Sequence, residues 1–232
     1  MFKRISTGFI LLFSALFLLG ACSSEGSETE KTEEAGGVVA TVNGEEILKK
    51  DYDNRLKATK NSYAQQGINV DELDSKTKEN LEKSVLDQLI NQELLLQTAK
   101  TEGVAVQPSE IDTEIDQLKS QFEDDKKFQE ALKENNLTEE TLKQQTQEQL
   151  LINKYIDHTI GDITVSEEEI KSIYEQYKKQ AESQGQELPD HDFETIKPQM
   201  EQEAIAQKKN EKVGELLENL RKSNEENIKV LG

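Results

Sequence analysis

Few residues in this 232-residue chain are of a type that does covalent or metal chemistry. Cys22 is the only cysteine, so no disulfide can close within the chain. His158 and His191 are the only histidines, and neither has a second histidine or a cysteine at ligand spacing. A zinc site would rest on carboxylates alone, a poor donor set for that metal. The 47 acidic residues lie along amphipathic patterns, where carboxylates are far more often solvated faces than catalytic pairs. Glu123, Asp124 and Asp125 lack the glycine and alternate spacing of an EF-hand loop. No P-loop, dinucleotide fingerprint or hydrolase elbow occurs. The sequence thus predicts no catalytic residue, no metal and no nucleotide.

Charge narrows the partners. Against the acids stand 28 Lys and Arg, for a net charge of −19. Duplex nucleic acid and anionic membrane surfaces reward clustered positive charge, so neither is expected to bind the folded part. The chain has no Trp, which argues against base-stacking or aromatic-cage surfaces. From Cys22 onward, Leu, Ile, Val and Phe make up 47 of 211 residues, just above the level at which chains stay unfolded. So few apolar side chains suit an elongated helical body better than a large compact core.

The elements follow from local pattern. Met1–Ala21 has Lys3 and Arg4 ahead of an apolar run from Gly8 to Leu19, the layout of a secretory signal peptide. Its end, Leu19-Gly20-Ala21-Cys22, resembles the lipobox of bacterial lipoproteins, although Gly20 is less usual there than Ala or Ser. That resemblance implies diacylglycerol on the Cys22 thiol, with no other cofactor, and a membrane attachment made by the lipid anchor only. Residues 22–37 form the lipidated cysteine and a Ser-, Gly- and Glu-rich tether, leaving 38–232 to fold.

Within 38–232 the longest apolar pattern is Leu81 to Val106. There Leu81, Val85, Leu86, Leu89, Ile90, Leu94 and Ala99 recur at helical spacing, and Gly103 stops the helix. Before it come a short strand at Val38–Val42, an Asn43-Gly44 turn and a helix from Lys50 to Gln66. After it come short helices from Pro108 and over Asp125–Glu134, then a longer one capped by Thr138 and ended by Gly161. Ser166 with Glu169 forms a capping box that opens a helix to about Gln184. Pro198 predicts a short turn at Phe193–Lys197 and a final long helix starting at the proline. Ile228 and Val230 predict a last strand, paired with Val38–Val42 because neither is stable alone. The fold class expected is mainly α: an elongated multi-helix module with a two-stranded antiparallel ribbon made by its N- and C-terminal strands.

Residues Val39, Ala40, Val42, Asn43, Gly44 and Ile47, followed by Leu86, Leu89, Ile90, Leu94, Leu95, Ala99, Gly103, Val104 and Val106, resemble the N-terminal region of the SurA and PrsA foldases. The step Pro108 to Ile111, the helix through Leu142 to Ile160, and Phe193 to Pro198 followed by a long helix and a strand continue the likeness. The resemblance implies a chaperone module related to that of trigger factor. In PrsA-like proteins a parvulin prolyl-isomerase domain follows a helix like Ser166–Gln184, whereas here only Gly185–Asp192 stands in that place. The isomerase is therefore expected to be absent, and the protein not an enzyme.

Function would then reside in a surface that holds apolar segments of unfolded or nascent secreted proteins without ATP, at the extracytoplasmic face of the cell membrane. Leu118, Phe122, Phe128, Leu132, Tyr174, Tyr177 and Met200 are the candidates for contact with clients, because short helices offer little to cover them. The alternative is an envelope lipoprotein whose helical frame docks one dedicated protein partner.

Overall fold

In a computed structural model of the protein, residues 37–135, 137–183 and 193–231 are described. The leader at Met1–Ala21, Cys22, the tether as far as residue 36, and Gly185–Asp192 with His191 lie outside the described residues. Two strands open the fold, β1 (Val38–Val42) and β2 (Glu45–Leu48), joined by Asn43 and Gly44. Both turn residues have positive φ, 52° and 92°, the backbone that a tight hairpin of right-twisted strands requires. Seven α-helices follow among the described residues: α1 (Lys49–Gln65), α2 (Ser75–Thr101), α3 (Pro108–Lys119), α4 (Asp125–Glu134), α5 (Glu139–Ile160), α6 (Glu167–Ser183) and α7 (Phe193–Ser223). Strand β3 (Ile228–Val230) closes the sheet in the order β2-β1-β3. It runs antiparallel to β1, with Ala40 opposite Val230 and Val42 opposite Ile228. The mainly α fold with paired terminal strands is as expected, and β2 adds a third strand to the ribbon.

The helices start where side chains satisfy their free N–H groups. Helix α2 begins at Ser75, ahead of the apolar stripe, because Asp74 Oδ1 accepts the backbone N–H of Lys76 and of Thr77 at 3.0 and 3.1 Å. Ser166 and Glu169 form the expected reciprocal box: the Ser166 N–H donates to Glu169 Oε2 at 2.6 Å, and the Glu169 N–H to Ser166 Oγ at 3.2 Å. The break expected before Pro198 does not occur, since α7 is continuous from Phe193. Pro198 removes one backbone bond, to the Glu194 carbonyl. Phe193 and Ile196, packed against buried Ile173 and Met200, hold that first turn helical nonetheless.

Two compact units divide the described chain. One comprises residues up to Val39, Ile47–Asp87 and Gln107–Gln149; the other comprises Ala40–Glu46, Gln88–Val106 and Leu150 onward. In the first, Ile115, Phe128, Leu132 and Leu142 bring α3, α4 and the start of α5 together. In the second, Leu95, Leu96 and Ala99 of α2 pack with Leu151, Ile152 and Tyr155 of α5, and Leu216, Leu217 and Leu220 of α7 lie against them. A separate cluster of Ile170, Ile173, Met200 and Ala204 joins α6 to α7.

Candidate functional site

The seven residues expected to meet clients divide by burial. Phe128, Leu132 and Met200 are 1%, 5% and 4% exposed, so their expected role as a displayed surface is corrected. The reason is that the short helices cover each other: α3 and the first turns of α5 close over α4, and α6 closes over Met200. Leu118 and Phe122 are half-buried at the edge of the first of these clusters. Phe122 stands edge-on to Phe128, with ring centroids 5.5 Å apart. Tyr174 is half-buried against Phe193, centroids 5.3 Å apart, and Tyr177 one turn of α6 further on is 43% exposed.

Amines clad these rings. Lys119 Nζ lies 5.1 Å from the Phe128 ring centre, Lys178 Nζ 5.3 Å from that of Tyr174, and Lys171 and Lys197 lie 6.0 and 5.8 Å from that of Phe193. Carboxylates hold several of these amines in turn, Glu139 on Lys119, Glu167 on Lys171 and Glu175 on Lys178. The rings of Phe128, Tyr174 and Phe193 are therefore flanked by charge of both signs.

Sequence reasoning missed three exposed apolar residues: Ile68 at 39%, Val230 at 59% and Leu231 at 57%. Ile68 stands between Gly67 and Asn69, outside any helical stripe, which is the signal that marks it. Val230 and Leu231 are adjacent at the end of a strand, where side chains alternate, so both cannot face inward.

A polar joint ties the hairpin turn to the helices of the second unit. Asn43 Nδ2 donates to Gln97 Oε1 on α2 and to Asn224 Oδ1 just after α7, both at 2.9 Å. Gln97 Nε2 donates in turn to the Val42 carbonyl at 2.9 Å and to Glu93 Oε1 at 2.7 Å. Burial pushes the Glu93 carboxyl above its ordinary range, against the smaller opposing effects of the Gln97 bond and Lys100. Glu169 goes the other way. Lys208 and the Ser166 N–H hold its carboxyl down at about 2. In the first unit, burial raises Asp51, which is only 7% exposed.

Among the described residues no group of three or more His, Cys, Asp or Glu is placed to hold a metal ion, and His158 is exposed. Nor is any helix among them long and apolar enough to cross a membrane. Fold and exposure together define an α-helical scaffold that leaves a few large apolar residues exposed. The chain belongs to the family of SurA-like N-terminal domains, whose sequence model matches residues 2–156. It is 30% identical over 183 residues to the foldase protein PrsA of Caldanaerobacter subterraneus subsp. tengcongensis, an overlap covering 75% of this chain and 53% of that protein. To the foldase protein PrsA of Clostridium botulinum strain Langeland it is 31% identical over 179 residues, 72% of this chain and 50% of that one. The chain thus spans about half the length of the curated relatives it matches.

Proposed function

We propose that this chain is an ATP-independent chaperone, a holdase or foldase that binds unfolded secreted proteins at the extracytoplasmic face of the cell membrane, anchored by diacylglycerol on Cys22. The observation that carries the reading is the distribution of apolar surface. Ile68 in one unit and Tyr177, Val230 and Leu231 in the other are open, while Leu118 and Phe122 in the first and Tyr174 in the second are half-open. At about 25 cal/mol per Å² of apolar surface removed from water, covering ~100 Å² of client is worth about 2.5 kcal/mol before ordering costs reduce it. Several such contacts together hold a chain that any one of them would release, which lets a client leave without nucleotide hydrolysis. The kinship with foldases supports this reading.

The experiment is light scattering by an aggregating, chemically unfolded secreted protein, with and without the full chain. Suppression at a few-fold molar excess is expected; aggregation unchanged at tenfold excess contradicts the proposal. Catalysis is not part of it: in a proline-limited refolding assay the slow phase is expected to keep its rate constant, and acceleration would assign an isomerase activity instead. For the anchor, labelled fatty acid is expected to appear on the protein in bacteria and to be lost in Cys22→Ala. A labelled Cys22→Ala protein would remove the cysteine from that role.

A further inference from the structure

A shallow groove of about 420 Å³ lies beside the last turns of α1, and Lys57, Lys60, Ala64, Gly67, Ile68 and Asp71 are among the residues lining it. Ile68 is the most exposed large apolar side chain among the described residues of the first unit. The backbone fixes it there. Gly67, at φ 79°, turns the chain out of the helix, and the Ile68 N–H donates back to the Tyr63 carbonyl at 2.9 Å. Behind the turn Val70 is buried, and Asn69 Oδ1 accepts the Asp71 N–H at 3.1 Å. Ala64, Ile68, Val70 and the alkyl stems of the two lysines contribute the apolar part of the lining.

Charge along the groove is graded. Lys60 Nζ is 2.8 Å from Asp71 Oδ1 and is neutralised by it. Lys57, three residues earlier on α1, is exposed and makes no ion pair among the described residues. In a chain with 47 acids to 28 bases, the ionisable residues that line this groove, Lys57, Lys60 and Asp71, carry one net positive charge.

We propose that this groove seats one apolar side chain of an extended client segment that carries an acidic residue next to it. The inference rests on the chaperone reading and names a client feature for it. The apolar side chain covers Ala64 and Ile68, and the neighbouring carboxylate neutralises Lys57. Asp71 is already held by Lys60, so Lys57 is the charge that selects the acid.

The test is fluorescence anisotropy of the full chain with two labelled peptides, identical except for an aspartate or a lysine beside a central leucine. Two variants accompany it, Lys57→Glu and Ala64→Glu, both at exposed helical positions with a helix-favouring replacement. The wild-type chain is expected to prefer the aspartate peptide by about three- to fivefold, the scale of one exposed ion pair. Lys57→Glu is expected to invert that preference, and Ala64→Glu, which puts a carboxylate into the apolar lining, to weaken the aspartate peptide. Equal binding of the two peptides, or wild-type binding by both variants, overturns the groove assignment. Aggregation suppression measured on the same samples separates the causes: if it persists, the chaperone reading stands and only the groove falls, whereas its loss in the wild-type chain removes both.

Discussion

Asn43 combines two demands that few residues meet together. Its φ of 52° suits Gly, Asn and Asp, and its amide must donate to two side-chain oxygens, on Gln97 and Asn224. Asn43→Asp keeps the backbone but turns an acceptor toward both oxygens. A loss of about 1–2 kcal/mol is expected in urea unfolding. Titration offers two predictions of opposite sign. Burial raises the Glu93 carboxyl, so its charged form costs stability at neutral pH, and that cost disappears below the ordinary glutamate range near about 4.3. Glu93→Gln is therefore expected to be more stable than wild type at pH 7 and equal to it at pH 3. Glu169, held at about 2 by Lys208 and Ser166, stabilises above its ordinary range and loses that contribution as pH falls toward 2. Glu169→Gln is expected to unfold at lower urea than wild type at pH 7, with the gap closing in acid. The joint could not be read from the chain, nor could the Lys208 contact that lowers Glu169 most, although the Ser166–Glu169 box could. Asn43-Gly44 announces a turn in the sequence, but the partners of its amide lie 54 and 181 residues away.

At the scale of elements, periodicity located the helices and failed on what covers them. Phe128 and Leu132 share a face of α4, and ten residues of helix offer no sign that Ile115 of α3 and Leu142 of α5 will close over that face. Phe128→Ala is expected to cost about 3–5 kcal/mol as a cavity mutation, visible as a lowered melting temperature. Phe122→Ala, at the half-open edge, is expected to cost less and to weaken client binding more. Pro198 lies inside a continuous helix for a related reason. A proline's local penalty is legible, but the grip of Phe193 and Ile196 on the α6–α7 cluster is tertiary. Pro198→Ala restores a donor to the Glu194 carbonyl and is expected to stabilise by up to about 3 kcal/mol, with slowed amide exchange over the first turns of α7. The strands were easier. Neither Val38–Val42 nor Ile228–Val230 can stand alone, so pairing was the only economical use for them. Strand β2 is not legible in the sequence because Glu45 and Glu46 give it no alternation, and only Ile47 is buried.

For the whole molecule, a net charge of −19 acts on every client before any patch does. Electrostatic attraction extends about 10 Å at 0.1 M salt and about 3 Å at 1 M. Basic clients are therefore expected to be protected from aggregation at lower chaperone concentration than acidic ones in dilute buffer, and the difference to collapse near 1 M salt. Equal protection in dilute buffer would mean that apolar contact alone selects clients. The pairing of β1 with β3 bears on how such a chain is made. Residues 40 and 230 are sheet partners, so the hairpin at the start must wait for almost all the rest to be synthesised. At roughly 5–20 residues per second that wait is about ten to forty seconds. Through it the newborn chain carries an unpaired sheet edge of its own, and for that interval it is itself the kind of polypeptide that needs a chaperone.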